Sequence, residues 1–311
     1  MIRAVSLRGR DFLDVADLDP AELRSVLELA HAIKAARWAG RPLEGRHIAM
    51  LFQKPSHRTR VSFEVGIARL GGTTTTLGEQ DVQLGRRESI GDAARVLDRY
   101  VDGIVARMRS HTDLVKLAAA AEKPVINALT DRSHPCQILA DLLTLEEACG
   151  PLGEQRIVYV GDGNNIATSL IEASALLGFQ LTVISPPGYE PAGQVLERAG
   201  RIGSGTGRVT VANTLAALDG ATAIYTDVWT SMGQEDQGAT RRQVFAPYQV
   251  NQKLMDAAQG AVFLHCLPAH RGEEVTDEVI DGPRSIVFDQ AANRLYAQMA
   301  LMAEIFGTDE T

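Results

Sequence analysis

Lys54-Pro55-Ser56-His57-Arg58-Thr59-Arg60 puts three cations, two hydroxyls and an imidazole where an apolar run gives way to a helical pattern. Unpaired backbone N–H groups at a helix start, with a hydroxyl on either side and two guanidinium groups, form a compact site for phosphate. Basic residues in a first turn oppose the helix macrodipole unless an anion sits among them, so a bound anion explains this cluster better than solvation does. Arg107, with Arg109 and His111 close behind, follows another apolar run and can be read as part of the same site or as a surface ion pair. In Asp131-Arg132-Ser133-His134-Pro135-Cys136-Gln137, His134 and Gln137 stand three apart across a helix start, and both can reach one ligand.

Two further places lie in the second half. Gly161-Asp162-Gly163-Asn164-Asn165-Ile166 invites a dinucleotide-binding reading. The third glycine is replaced by Ile166, and no acidic residue stands about twenty positions on, so no cofactor is expected. The paired Asn side chains suit the carboxylate of an amino acid instead. Asp227-Val228-Trp229-Thr230-Ser231-Met232-Gly233 and His265-Cys266-Leu267-Pro268 each end an apolar run. Cys266 can be read as a thiol facing Asp227 or as an inert buried cysteine. His265 and His270 are five apart, without an H-E-x-x-H pattern or a cysteine pair, so no metal is expected.

Positioning these residues requires strands that end where they stand. Short β-branched runs alternate with 3.6-periodic stretches, the pattern of parallel sheets covered by helices, so the fold class is α/β. Strands are expected at 47–52, 73–77, 103–106 and 124–127 in a first sheet. A second series follows at 156–160, 180–184, 208–211, 222–226 and 261–264, with a late strand at 285–288 and a last helix at 290–306. The first helix, 20–37, is capped by Asp19 with Pro20 at its first position. In such sheets ligands collect beyond the carboxyl ends of the strands, where all five clusters fall. Two domains are expected, residues 1–145 with 290–311 returning to them, and residues 146–289.

The chain has 311 residues, 45% hydrophobic and 23% charged, with 31 Lys and Arg against 39 Asp and Glu. A net charge of −8 argues against a nucleic-acid or anionic-membrane partner, so the cationic clusters must act locally. The amino terminus lacks the apolar core of a secretory signal. Three cysteines, Cys136, Cys149 and Cys266, cannot all pair, which suits a reducing cytoplasm.

Taken together, Ser56 to Arg60, His134 to Gln137, Asp162 to Asn165, Asp227 to Gly233 and His265 to Pro268 resemble the carbamoyltransferase family in order and spacing along nearly the whole chain. Within it, the Ser-Met-Gly loop and His-Cys-Leu-Pro resemble the ornithine branch. The resemblance implies transfer of a carbamoyl group from carbamoyl phosphate to the δ-amine of L-ornithine, giving citrulline and phosphate in arginine metabolism. It also implies an active site between two α/β domains of a homotrimer. By the same resemblance, carbamoyl phosphate is held by Ser56, His57, Arg58, Thr59, Gln83, Arg107, His134, Gln137, Cys266, Leu267 and Arg294, with Gln83 supplied by a neighbouring subunit. Asn165, Asp227, Ser231 and Met232 correspond to the ornithine contacts. Arg58, Thr59, Arg107, His134, Asp227 and Cys266 carry the chemistry. His57 departs from the family pattern, which has Thr there. A carbamoyltransferase for another amine, a non-catalytic binding protein and an NAD-dependent dehydrogenase are the competing readings.

Overall fold

The structure, a computed structural model, describes residues 7–83, 88–203, 208–230 and 235–307. Contacts divide the chain into two units, Met1–Leu143 with Asn293–Thr311, and Thr144–Ala292. Each is a parallel sheet flanked by helices, the α/β class that the alternating pattern predicts.

The first unit opens with helix α1 (Pro20–Lys34). Asp19 accepts from the Glu22 N–H while the Glu22 carboxylate accepts from the Asp19 N–H, a reciprocal cap that fixes where the helix starts. Then follow β1 (His47–Phe52), α2 (His57–Arg69), β2 (Thr73–Gly78), α3 (Glu79–Val82), α4 (Ile90–Leu97), β3 (Gly103–Arg107), α5 (His111–Ala120), β4 (Val125–Leu129) and α6 (Pro135–Cys149). The strands are ordered β2-β1-β3-β4, all parallel. β1, β3 and β4 are buried along almost their whole length, whereas β2, an edge strand of four threonines, alternates exposed and half-buried.

The second unit continues with β5 (Arg156–Val160), α7 (Asn165–Leu177), β6 (Gln180–Ile184), α8 (Gly193–Ile202), β7 (Arg208–Ala212), β8 (Ala223–Thr226), α9 (Gly238–Phe245), α10 (Gln252–Ala257), β9 (Val262–His265) and α11 (Asp277–Ile280). Its strand order is β7-β6-β5-β8-β9. The last helix, α12 (Val287–Phe306), belongs to the first unit from Asn293 onward. There Lys34 Nζ donates to Asn293 Oδ1 at 2.8 Å and Ser25 Oγ to Glu304 at 3.0 Å. The strand expected at 285–288 is a single bridge from Ser285 to Phe263, and the chain turns helical at Val287.

Both sheets have a topological switch point, where consecutive strands run off to opposite sides. In the first it lies between β1 and β3, in the second between β5 and β8. Loops leaving the carboxyl ends of those strand pairs diverge and leave room for a ligand. No described helix is long and apolar enough to cross a membrane.

Candidate functional site

At the first switch point, the loop after β1 and the end of β3 converge on the start of α2. Ser56 caps this helix, its Oγ accepting from the Thr59 N–H at 3.4 Å and donating to Thr59 Oγ1 at 3.1 Å. Arg107, the last residue of β3, brings NH1 to 3.5 Å from the same Thr59 oxygen. Arg294, in α12, brings NH2 to 3.3 Å and gives NH1 to Gln137 Oε1 at 2.8 Å. Gln137 is fixed in turn by donating Nε2 to Asp141 Oδ1 at 2.8 Å. Three donors therefore surround one hydroxyl oxygen that has only two lone pairs. An anion with several oxygens suits such a cluster far better than a threonine does.

His134 lies within the field of the same cations. Burial is the main force holding its imidazole well below the usual range, and Arg294, Arg107 and Arg58 push it the same way. A neutral ring results, able to donate a hydrogen bond without giving up a proton. Cys136, two residues on, is buried, donates to the Asn127 carbonyl at 3.3 Å, and has its thiol pushed up to about 12. It is a structural cysteine.

Two of the cations that the sequence groups there engage other partners, while Arg58 and Arg107 both act on His134. Arg60 turns to Glu64 at 2.9 Å, and Arg109 makes a two-pronged pair with Glu79 at 2.8 and 2.9 Å. His57 is exposed at the first position of α2. Gln83 is exposed at the end of α3 with a left-handed φ of 36°.

At the second switch point, Asn164 and Asp227 meet. Asn164 caps α7, its Oδ1 accepting from the Ile166 and Ala167 N–H groups and from the Tyr159 hydroxyl. The same amide donates Nδ2 to Asp227 Oδ2 at 2.7 Å. Asp227 Oδ1 accepts from the Val228 N–H at 2.8 Å and from Cys266 Sγ at 3.0 Å. The carboxylate and the thiol read from the sequence as partners are thus in contact. Asn165 is half-buried at the first position of α7. Ser231 and Met232 lie outside the described residues.

Cys266 and Leu267 sit on a tight loop after β9. Leu267 has φ 56°, and its N–H donates to His265 Nδ1 at 2.9 Å. His265 Nε2 faces Glu274 Oε1 at 2.9 Å, so Nε2 carries the ring proton. Asp227, His265 and Cys266 offer ligand atoms within 4.8 Å of one another. Both ring nitrogens of His265 are already engaged, and each Asp227 oxygen accepts a hydrogen bond, so a cation there would have to displace this network.

One further pair forms only through the fold. Arg241, buried on α9, makes an ion pair with Asp162 and donates Nε to the Trp229 carbonyl at 2.5 Å. Its guanidinium lies 4.8 Å from the Tyr189 ring centre and 5.1 Å from that of Phe245. The carboxylate of Asp162 is nevertheless pushed up to about 6, chiefly by burial and further by Asp227, against the pull of Arg241. Of the two Asn side chains expected at this helix start, Asn164 is the cap and Asn165 the first helical residue.

One parallel α/β unit gathers guanidinium groups at a helix start at its switch point, a place suited to an anion, and the other joins carboxylate, amide and thiol at its own, a place suited to a polar group, as an enzyme that transfers a group between two substrates requires. The chain matches the carbamoyl-phosphate-binding domain of the aspartate/ornithine carbamoyltransferases over residues 10–147 and their Asp/Orn-binding domain over residues 153–305. It belongs to the aspartate/ornithine carbamoyltransferase family. It is 52% identical over 309 residues to the ornithine carbamoyltransferase of Thermococcus kodakarensis, covering 97% of this chain and 98% of that one. The ornithine carbamoyltransferase of Brucella suis is 51% identical over 94% of this chain and 95% of its own. The solved structure of ornithine carbamoyltransferase from Pyrococcus furiosus superposes with a TM-score of 0.94 at 49% identity, over 98% of this chain and all of that one.

Proposed function

We propose that the chain is an ornithine carbamoyltransferase, converting carbamoyl phosphate and L-ornithine to L-citrulline and phosphate. The observation that carries this reading is the convergence of Ser56, Arg107 and Arg294 on Thr59 at the start of α2. The phosphate group takes the α2 N–H groups and Arg58, with Gln83 supplied by a neighbour in a homotrimer. The carbonyl oxygen, where charge develops, takes Arg107, the Thr59 hydroxyl and the neutral His134. Gln137 and Arg294 complete the donor half, and the backbone at Cys266 and Leu267 meets the carbamoyl end.

The acceptor half binds ornithine through Asn165, Asp227, Ser231 and Met232. An alkyl ammonium with pKa about 10.4 costs roughly 4.6 kcal/mol to present neutral at pH 7. A carboxylate favours the charged form, so Asp227 recruits and orients the amine without lowering that cost. The amine nitrogen attacks the carbamoyl carbon, the C–O bond to phosphate breaks, and phosphate leaves with the electron pair. The amine proton ends on the departing phosphate, passed directly or relayed through the Cys266 thiol, which gives up its own proton as it takes one. Nothing in this sequence of steps draws on a metal or cofactor. The enzyme acts in a reducing cytoplasm, where its three cysteines stay thiols.

A colorimetric citrulline assay with carbamoyl phosphate tests the reading, with ornithine, putrescine, aspartate and acetylornithine supplied separately. Ureido product from ornithine alone is expected. Product from another amine in its place, or from none, overturns it.

A further inference from the structure

His111, four residues after Arg107, is buried against the loop that carries His134. It is the first residue of α5, whose cap is Ser110. Its backbone N–H donates to Asp131 Oδ1 at 2.8 Å, and its ring Nδ1 lies 3.0 Å from Thr130 Oγ1. One residue thus holds two consecutive positions of the loop leaving β4.

Thr130 in turn holds Ser133. The Thr130 N–H donates to the Ser133 carbonyl at 2.9 Å, and the Ser133 N–H donates to Thr130 Oγ1 at 3.2 Å. These two bonds close the loop and fix the backbone entering His134, whose carbonyl accepts the first hydrogen bonds of α6, from Gln137 at 3.0 Å and Ile138 at 3.3 Å. On the far side of the ring, Asp14 Oδ2 stands 3.6 Å from His111 Nε2 and 3.5 Å from an Arg132 nitrogen. The carboxylate favours a proton on Nε2, which leaves Nδ1 to accept the Thr130 hydroxyl. The Thr130 hydroxyl has two acceptors in reach, His111 Nδ1 at 3.0 Å and the Ser133 carbonyl at 3.4 Å, and with Nδ1 unprotonated the nearer takes its hydrogen, so the donor chain runs from Ser133 N–H to Thr130 Oγ1 and from Thr130 O–H to His111 Nδ1.

We propose that His111 is a positioning residue for the donor half of the reaction, bracing the 130–134 loop from behind so that His134 is presented to the anion cluster. The inference rests on the function proposed above. Burial lowers the imidazole's pKa, Arg132 lowers it further, and Asp14, Asp131 and Asp17 oppose them, so the accepting form prevails at neutral pH. Protonation would place a hydrogen on Nδ1 and reverse the Thr130 hydroxyl.

The experiment compares the parent with His111→Leu, His111→Asn and Thr130→Val in the full chain. Leu removes the acceptor, Asn returns an acceptor near the Nδ1 position, and Val removes the hydroxyl while keeping its shape. Steady-state kinetics for both substrates is paired with calorimetric titration of inorganic phosphate. A small misplacement of a reacting group can cost up to about a hundredfold. His111→Leu and Thr130→Val should therefore lose about tenfold or more in kcat/KM for carbamoyl phosphate, with KM for ornithine within about twofold. His111→Asn should recover most of the loss. If Thr130→Val, the mildest change, keeps parental kinetics and parental phosphate affinity, the brace is refuted. It is equally refuted if Asn fares no better than Leu, or if both substrates' KM values rise together. Should the parent make no citrulline, the proposed function fails, while the phosphate titrations still decide whether His111 positions the loop.

Discussion

Asp162 sits in an environment at odds with its charge. It is buried, has Asp227 close enough to raise its pKa, and is kept ionised at neutral pH through Arg241. Displacement from 3.8 to about 6 corresponds to roughly 3 kcal/mol of preference for the protonated form in the folded chain. Because the folded-state value is raised, the contribution is fully present below about pH 4 and is lost as pH rises through 6. Asp162→Asn removes the titration. The parent should therefore gain stability relative to Asp162→Asn, by up to roughly 3 kcal/mol, as pH falls from 7 to 4. Urea midpoints at several pH values measure this, and a constant difference across the range would show that Asp162 does not titrate there. Neither half of this pair announces itself in the sequence. Asp162 reads as part of a glycine turn and Arg241 as one of two arginines on a short helix, and only the fold brings them into contact. Asp227 and Cys266 were legible because each directly follows an apolar run, the place where a parallel sheet offers its chemistry.

The β5-to-α7 turn shows what an element contributes beyond its side chains. Gly163 donates its N–H to the Tyr189 carbonyl at 2.8 Å, and a Cβ there would come within 2.3 Å of Pro191 N and 2.4 Å of the Glu190 carbonyl carbon. These are backbone atoms and cannot swing aside. Gly163→Ala must push the turn away from the 189–191 segment, moving Asp162 and Asn164 on either side of it. The expected result is a rise of about tenfold or more in KM for ornithine with inorganic phosphate affinity unchanged, since the phosphate cluster lies on the other unit. Unchanged kinetics would mean that the turn adapts without moving its neighbours. The glycines that suggest a nucleotide loop are thus required here for close backbone approach, with Ile166 buried where the fingerprint has its third glycine. Most strands could be located from β-branched runs. Residues 285–288 could not, because a short apolar run looks the same whether it enters a sheet or opens a buried helix.

At the scale of the molecule, the first unit is built from two separated pieces of chain, and its integrity depends on residues 293–306. Leu301, Met302, Ile305 and Phe306 of α12 are buried. The Phe306 ring lies so close to β3 that a Cβ on Gly103 would come within 2.4 Å of it, so the strand carries no side chain at that point. Gly66 of α2 faces Met299 and Met302 in the same way, at 3.2 and 3.4 Å from where its Cβ would stand. Four large apolar side chains at about 1.5 to 3 kcal/mol each contribute on the order of 6 to 12 kcal/mol, comparable to the whole stability of an ordinary domain at about 5 to 15 kcal/mol. Arg294 adds a functional tie, because the helix that completes this core also supplies a guanidinium to the Thr59 cluster. Ending the chain after Ala292 should therefore abolish amide-exchange protection in β1, β3 and β4 while β5, β6 and β8 keep theirs, and should remove phosphate binding with it. Protection that persists in the first sheet of the shortened chain would mean that β1 to β4 and their own helices form a sufficient core, and that the helix returns for its polar contacts, Arg294 to the Thr59 cluster among them.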